Sequence, residues 1–457
     1  MSGLTTTFLA ERMRAHGYRV RGGAEAPILG GAADSRLVQT ADLFAAFRGE
    51  HLDGNDFVDE ALQRGAAAAV CEREPAQAWP DRTVAVVDDT RVALAALARD
   101  WRRACGTKVI GITGTVGKTT AKDLTATALA QRCRTHRSPG NLNSREGLPL
   151  ALMSLTRDHA VSVLEMAMDS EGEIAELSAI AEPLVGVVLN VGATHLSKLG
   201  NMAAITREKL SLVRGLPADG VAVINMDDER IAPVADELHC KVIGFGANAP
   251  ACLRHGEIRD FGLEGTEFPV TFEDEELTVR LRLPGTHLVP TALAAIGAQL
   301  ALGLELAEAA AAVSRAEIDG RLMVRRGVSG ALILDDTYNA SPDSVAGALA
   351  LLGGLSGRRV ALLGEMAELG ERAEPEHERI GRLAAERCDA LLATGGLCQV
   401  LVEAAQRAGL REARWFETKE AAAAFAADLL RCGDHILVKA SRSQALETVI
   451  PTLEGSA

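Results

Sequence analysis

The chain has 457 residues, 47% of them hydrophobic and 24% charged, with a formal net charge of −14. That length suits about three domains of roughly 150 residues. The acidic balance repels a phosphate backbone, and at 3% aromatics there are few rings to stack single-stranded bases, so no nucleic-acid partner is expected.

The first twenty residues carry Glu11, Arg12 and Arg14 and no apolar leader core, so they read as an amphipathic helix. No apolar run reaches the roughly 18 residues of a spanning helix. A cytoplasmic protein without membrane insertion is expected. Residues 66–70 and 84–87 read as buried strands, and 88–103 as a helix at helical apolar spacing. Residues 1–85 form the first expected domain, a small α/β unit.

Residues 86–318 form the second. Its opening strand, 108–113, runs into Thr113-Gly114-Thr115-Val116-Gly117-Lys118-Thr119-Thr120 and then a helix to about residue 131. Strand, glycine-rich loop and helix in that order are what a phosphate loop requires. The strict pattern G-x-x-x-x-G-K-[ST] fails at Ile112. Gly114 and Gly117 still allow backbone N–H groups to turn towards anionic oxygens. Lys118 can reach terminal phosphates, the Thr119 hydroxyl can ligate Mg²⁺, and the helix presents its positive end. Further strands are expected at 161–165, 185–190 and 221–225, with helices between them, which implies a mostly parallel sheet. Residues 254–283 alternate as antiparallel strands do, and 291–302 form an Ala-rich helix. Glu165 ends a strand, where α/β sheets place ligands, and His195 follows the strand that ends at Asn190.

Residues 319–457 form the third domain. Strands are expected at 331–335, 360–363, 390–394 and 435–439, separated by helices, which makes a second doubly wound α/β unit. The eight cysteines contain no C-x-x-C pair, so a zinc site lacks local support. They read as small buried apolar residues in a reducing compartment.

The form T-G-T-x-G-K-T-T resembles the loop of the Mur ligase family, which builds the cell-wall peptide stem. Asp34-Ser35-Arg36, Asn141-Leu142-Asn143, Glu165-Met166, residues 190–195, Lys209, Asp335-Asp336-Thr337-Tyr338-Asn339 and residues 363–370 extend the resemblance through almost the whole chain. It is strongest to the member that adds the terminal dipeptide. The D-N-P-R tetrapeptide of the tripeptide-forming member is absent, and Asp336-Thr337-Tyr338-Asn339-Ala340-Ser341-Pro342 stands instead.

The resemblance implies an ATP-dependent ligase that joins D-Ala-D-Ala to a UDP-muramoyl-tripeptide through an acyl phosphate. It implies one domain for the UDP-sugar-peptide, one for ATP, and a Rossmann-like C-terminal domain for the dipeptide. Lys118, Lys209, His195 and Glu165 would be catalytic, and Thr119, Glu165 and His195 would hold two Mg²⁺ ions. Lys209, fourteen residues after His195, would be N6-carboxylated. Arg321 would reach the γ-phosphate and Asp336 the ATP ribose. Ser35, Arg36, Asn141 and Asn143 would meet the sugar-peptide. Tyr338, Asn339, Ser341 and Arg442 would face the dipeptide. A monomer is expected.

Each residue also has a plainer reading. Glu165 could be a solvated loop carboxylate, Lys209 an exposed helix lysine, Arg442 an exposed arginine, and residues 335–341 a structural turn. Glu146, after Asn141-Leu142-Asn143, and Ala167, after Glu165-Met166, are small departures from the family pattern, and one stretch departs further. Where the family carries G-x-H-N-x-x-N, this chain has Gly285-Thr286-His287-Leu288-Val289-Pro290-Thr291. Leu288 and Thr291 replace both asparagines, so base contacts come from elsewhere or are weaker. The alternatives are another Mur-type amide ligase, tripeptide-forming or polyglutamate-type, and a catalytically weakened nucleotide-binding partner.

Overall fold

Three sheets succeed one another along the chain in a computed structural model that describes residues 2–49, 51–192, 199–248, 250–318, 322–367 and 369–455. The chain is an α/β protein whose sheets are mixed but mostly parallel. The first sheet has five strands in the order Arg19–Arg21, Thr83–Val86, Ala68–Cys71, Asp42–Ala45, Gly30–Ala32. Only its Arg19–Arg21 edge is antiparallel. Ala68–Cys71 is buried along its whole length, as strands covered on both faces must be. The expected N-terminal helix is Thr6–Ala15, where Thr5 caps the start by accepting from Phe8 N.

The helix Thr90–Cys105 begins at the Asp89 cap and stops at Gly106, whose φ of +67° suits glycine. Its face of Ala93, Leu94, Leu97, Ala98 and Trp101 belongs to one apolar cluster running from Leu4 to Val234. The first two sheets therefore share a core. Trp101 is buried there, and its indole N–H donates to Leu155 O at 3.0 Å, so no polar atom is stranded.

The second sheet has ten strands. Its parallel run is ordered Leu253–His255, Lys241–Gly246, Val221–Asn225, Val185–Val188, Lys108–Thr113, Val161–Glu165, Thr135–Arg137. Lys108–Thr113 sits between Val185–Val188 and Val161–Glu165, so their carboxyl ends share one edge, where such sheets place ligands. The antiparallel stretch is present as Thr266–Phe272 and Glu275–Leu281. The third sheet is ordered Met323–Arg326, Leu332–Asp335, His435–Lys439, Arg359–Leu363, Ala390–Thr394, Ala413–Phe416, with only Met323–Arg326 antiparallel.

The cysteines correct one expectation. Cys71, Cys388 and Cys398 are buried, Cys105, Cys133 and Cys240 are half-buried, and Cys252 and Cys432 are exposed; all are free thiols. Cys252 and Cys432 lie in connections ahead of strands, where no second layer covers them.

Candidate active site

The phosphate loop leaves Lys108–Thr113 and enters the helix Lys118–Ala130. Gly117 holds the turn at φ +85°, a conformation that a side chain disfavours. At Gly114 a side chain would come within 2.9 Å of Leu189 Cβ, so the loop lies flush on the neighbouring strand end. Asn190 braces it. Its Oδ1 accepts from Thr115 N at 2.9 Å and Val116 N at 2.8 Å, and its Nδ2 donates to Val116 O at 2.9 Å. Thr115 Oγ1 accepts from Gly192 N at 2.7 Å. Anion binding at this loop therefore falls to the start of the helix.

Lys118 Nζ donates to Gly114 O at 2.9 Å and to Thr115 O at 3.1 Å. Lys209, on the helix Met202–Arg214, donates to the same Gly114 O at 3.0 Å. Lys209 is 2% exposed, so it is not a surface lysine. Burial, then the charge of Lys118, push its pKa well below the ordinary lysine value. Neighbouring Glu208 is engaged elsewhere: it accepts from Gly172 N and Ile174 N at the start of helix Glu173–Ala181.

Glu165 is 3% exposed, so the solvated-carboxylate reading fails. Its Oε2 accepts from Thr119 Oγ1 and its Oε1 from Asn143 Nδ2, both at 2.8 Å. Lys122, one helical turn after Lys118, is buried and donates to Ser138 O at 2.9 Å, while Ser138 Oγ accepts from Glu165 N at 3.3 Å. Lys122 thereby holds the loop that carries Asn143 to Glu165. This positioning pair escaped the sequence reading. The signal was the four-residue spacing from Lys118, which places Lys122 on the same helix face. Asn141 is exposed on that loop. His195 and Arg321 lie outside the described residues.

The donor chemistry fits Mg²⁺. The hydroxyl and carboxylate that meet at 2.8 Å are hard oxygen donors beside the phosphate loop. Mg²⁺ keeps several waters and takes one or two carboxylates plus substrate phosphates.

Beyond the loop, a cleft is lined by Val116, Leu189, Asn225, His287, Leu288 and Thr291. Thr291 lies with Pro290 in the first turn of the helix Val289–Ala301. A second cleft joins Thr115 and Val116 to Ser341, Pro342 and Asp343 of the third sheet's crevice. Ser341 starts the helix Pro342–Gly353 in a capping box with Ser344. Asp336 Oδ2 accepts from Lys439 Nζ at 2.5 Å, and Lys439, 2% exposed, also donates to Asn339 O at 2.8 Å. Arg442 sits 5.9 Å from the Tyr338 ring centroid and pairs with Glu447 at 2.8 Å. Asn339 is exposed, and its Oδ1 accepts from Ala340 N. His287 reaches across from the second sheet's unit: a side chain at Gly347 would stand 2.9 Å from its ring.

Ser35 and Arg36 are internally engaged. The Ser35 hydroxyl donates to Glu60 at 3.1 Å, and the Arg36 fork grips Asp34 at 2.9 and 2.6 Å. No hydrogen bond among the described residues joins them to the phosphate loop.

Fold and site define the class: an α/β protein with a phosphate loop closing on an acidic oxygen pair, for nucleoside-triphosphate chemistry. Family models describe the same three units. The Mur ligase catalytic domain matches residues 30–102, the Mur ligase middle domain 112–299, and the glutamate ligase domain of Mur ligases 320–442. UDP-N-acetylmuramoyl-tripeptide–D-alanyl-D-alanine ligase of Bacillus subtilis is 34% identical, covering 93% of both chains. That of Escherichia coli is 32% identical over 94% of this chain and 95% of its own. The crystal structure of MurF from Acinetobacter baumannii superposes with a TM-score of 0.87 at 29% identity over the full length of both. MurF ligase from Thermotoga maritima in complex with ADP does so at 0.77 and 28%, covering 94% and 98%. The chain belongs to the Mur ligase family.

Proposed function

We propose that the chain is an ATP-dependent ligase that joins D-alanyl-D-alanine to a UDP-N-acetylmuramoyl-tripeptide in peptidoglycan precursor synthesis. The observation that carries this reading is likeness over more than nine-tenths of the chain to relatives of that name. The Thr119–Glu165–Asn143 cluster beside the phosphate loop supports it. Residues 1–85 take the UDP-sugar-peptide, 86–318 take ATP, and 319–457 take the dipeptide.

The tripeptide carboxylate attacks the γ-phosphorus of ATP, the bond to ADP breaks, and an acyl phosphate forms. The dipeptide amine then attacks the acyl carbon and loses a proton, and phosphate leaves. The transferred group is highly charged, so positioning and electrostatics carry most of the catalysis. Lys118 places its charge on the terminal phosphates, and Arg321 meets the γ-phosphate. Thr119, Glu165 and His195 would hold Mg²⁺, which would supply charge neutralisation at the phosphoryl oxygens. Asp336 accepts from the ribose. Ser35, Arg36, Asn141 and Asn143 bind the sugar-peptide; Tyr338, Asn339, Ser341 and Arg442 bind the dipeptide.

Lys209 is N6-carboxylated in the active form. Its amine attacks the carbon of CO₂: an N–C bond forms, one C=O π bond gives its electron pair to oxygen to make the carboxylate, and the nitrogen loses one proton. The product replaces a group whose ammonium form Lys118 repels with an anion that Lys118 attracts.

Among the described residues no helix is long and apolar enough to cross a membrane. A cytoplasmic monomer fits soluble UDP-linked substrates. The test is a coupled phosphate-release assay with UDP-muramoyl-tripeptide, D-Ala-D-Ala and ATP. Turnover is expected only with all three present. No turnover with that set, or faster turnover with glutamate or a free diamino acid, would overturn the reading.

A further inference from the structure

The cleft beside Gly117 contains few groups able to read a base. Val116, Leu189, Leu288 and Pro290 form apolar walls. The Asn190 amide is turned towards the phosphate loop by its three hydrogen bonds there. The Asn225 amide is oriented by the protein too: Nδ2 donates to Leu189 O at 2.9 Å and Oδ1 accepts from Asp227 N at 3.0 Å.

Two polar side chains remain, Thr291 and His287, and neither makes a side-chain hydrogen bond among the described residues. Thr291 Oγ1 stands 3.2 Å from where a side chain on Gly117 would begin. It therefore sits where the phosphate loop meets the cleft. His287 is at the exposed mouth of the cleft, opposite Gly347. Crowding by surrounding protein lowers its pKa, with Lys439 adding to that and Asp336 opposing it. That direction favours the neutral ring, in which one nitrogen donates and the other accepts.

The chemistry of these two groups differs from that of an asparagine. An amide presents a donor and an acceptor at fixed positions. Adenine offers an amino donor at C6, whereas guanine offers an oxo acceptor there. A fixed amide can match one and mismatch the other. A hydroxyl rotates its hydrogen, and a neutral imidazole changes tautomer, so each can meet either base. An apolar pocket without committed polar partners rejects an isostere only weakly.

We propose that this chain holds its nucleotide base by shape, with Thr291 and His287 as adaptable contacts, and accepts guanine nucleotides nearly as well as adenine nucleotides. The inference rests on the ATP-dependent ligase reading and specifies the base end of that same site. Leu288 and Thr291, standing where two amides would fix the base, are then the residues that leave it unselected.

The test is calorimetric binding of ADP, GDP and CDP, each with Mg²⁺, to the full chain, alongside phosphate release with ATP and GTP. The expected result is dissociation constants for ADP and GDP within about tenfold of each other, the low end of the roughly 10–200-fold by which an apolar pocket separates near-isosteres. The Leu288→Asn, Thr291→Asn double variant should move the ratio towards ADP by about tenfold or more while keeping ADP binding, because it restores fixed donor–acceptor pairs. Wild-type preference for ADP beyond about tenfold overturns the proposal and leaves the ligase reading intact. CDP binding as tight as ADP also overturns it, because the base would then not be held. Binding of none of the three overturns this proposal and the ATP-dependent reading together. The wild-type comparison stands on its own if the double variant fails to fold.

Discussion

Lys118 and Lys209 donate to one carbonyl oxygen, that of Gly114, at 2.9 and 3.0 Å. Two ammonium groups on one oxygen repel each other, and the buried one gives up its proton more readily. Lys209 is that group, with a pKa held well below the ordinary lysine value by burial and by Lys118. A neutral amine is the form that reacts with CO₂.

Lys209→Ala should therefore lose activity, about 100-fold or more if the group acts on transition-state charge. Bicarbonate or a short carboxylate such as acetate should restore part of it. Labelled bicarbonate should give a carbamate carbon signal in the wild type that vanishes in the variant. Acidification through the depressed pKa protonates the amine, so the signal and the activity should fall together as pH drops. No rescue and no carbamate signal would sink the assignment.

Glu165 accepts from both Thr119 and Asn143. Glu165→Gln keeps the shape and removes the charge, so it should lower kcat by about 100-fold and raise the Mg²⁺ concentration needed for half-maximal rate. Asn143→Ala should lower the rate less, because the carboxylate stays. Phosphate release titrated with Mg²⁺ reads both. An unchanged Mg²⁺ requirement in Glu165→Gln would remove Glu165 from the metal site.

Asp336 and Lys439 form an ion pair at 2.5 Å whose side chains are 13% and 3% exposed. Removing one partner strands a buried charge. Asp336→Asn should destabilise the fold by about 3 kcal/mol and raise KM for ATP. Adding Lys439→Met should recover part of the stability and none of the ATP affinity. Urea denaturation of the two single variants and the double variant reads the coupling. A loss in the double variant equal to the sum of the two single losses would show that the pair is not coupled.

His136 is buried between Ser162 Oγ, 2.8 Å from Nδ1, and Ala151 O, 3.2 Å from Nε2. The carbonyl only accepts, so Nε2 carries the hydrogen. Burial, and secondarily His159, lower its pKa to about 4. The unfolded chain binds this proton near 6.5, the folded chain only near 4, so stability falls as pH drops across that window. The full loss is about 3 kcal/mol at roughly 1.4 kcal/mol per unit. His136→Gln should flatten that part of the stability profile measured by denaturation at several pH values. An unchanged slope would mean that other groups carry the acid sensitivity.

Much of the fold was legible because its strands are short apolar runs bounded by turns. Lys108–Thr113, Val161–Glu165, Val221–Asn225, Ala390–Thr394 and His435–Lys439 stand where the pattern puts them. Thr135–Arg137 escaped because polar and charged residues fill it, and Met323–Arg326 because it holds only two apolar residues before two arginines; only their partner strands make them strands. Lys241–Gly246 escaped because it begins charged and contains two glycines, which weakens any strand pattern.

The sequence by itself determined the phosphate loop and the family, because the loop's chemistry depends on residue types at fixed spacing along one strand–turn–helix. It also identified Leu288 and Thr291 as departures. Only the tertiary structure decided which groups meet. Asn143 and Glu165 are 22 residues apart, and Lys209 and Gly114 are 95; packing places each pair within hydrogen-bond distance. Burial decided the rest: it keeps Lys209 poised to lose its proton beside Lys118, a property of the surrounding protein that one residue's neighbours in the chain do not encode.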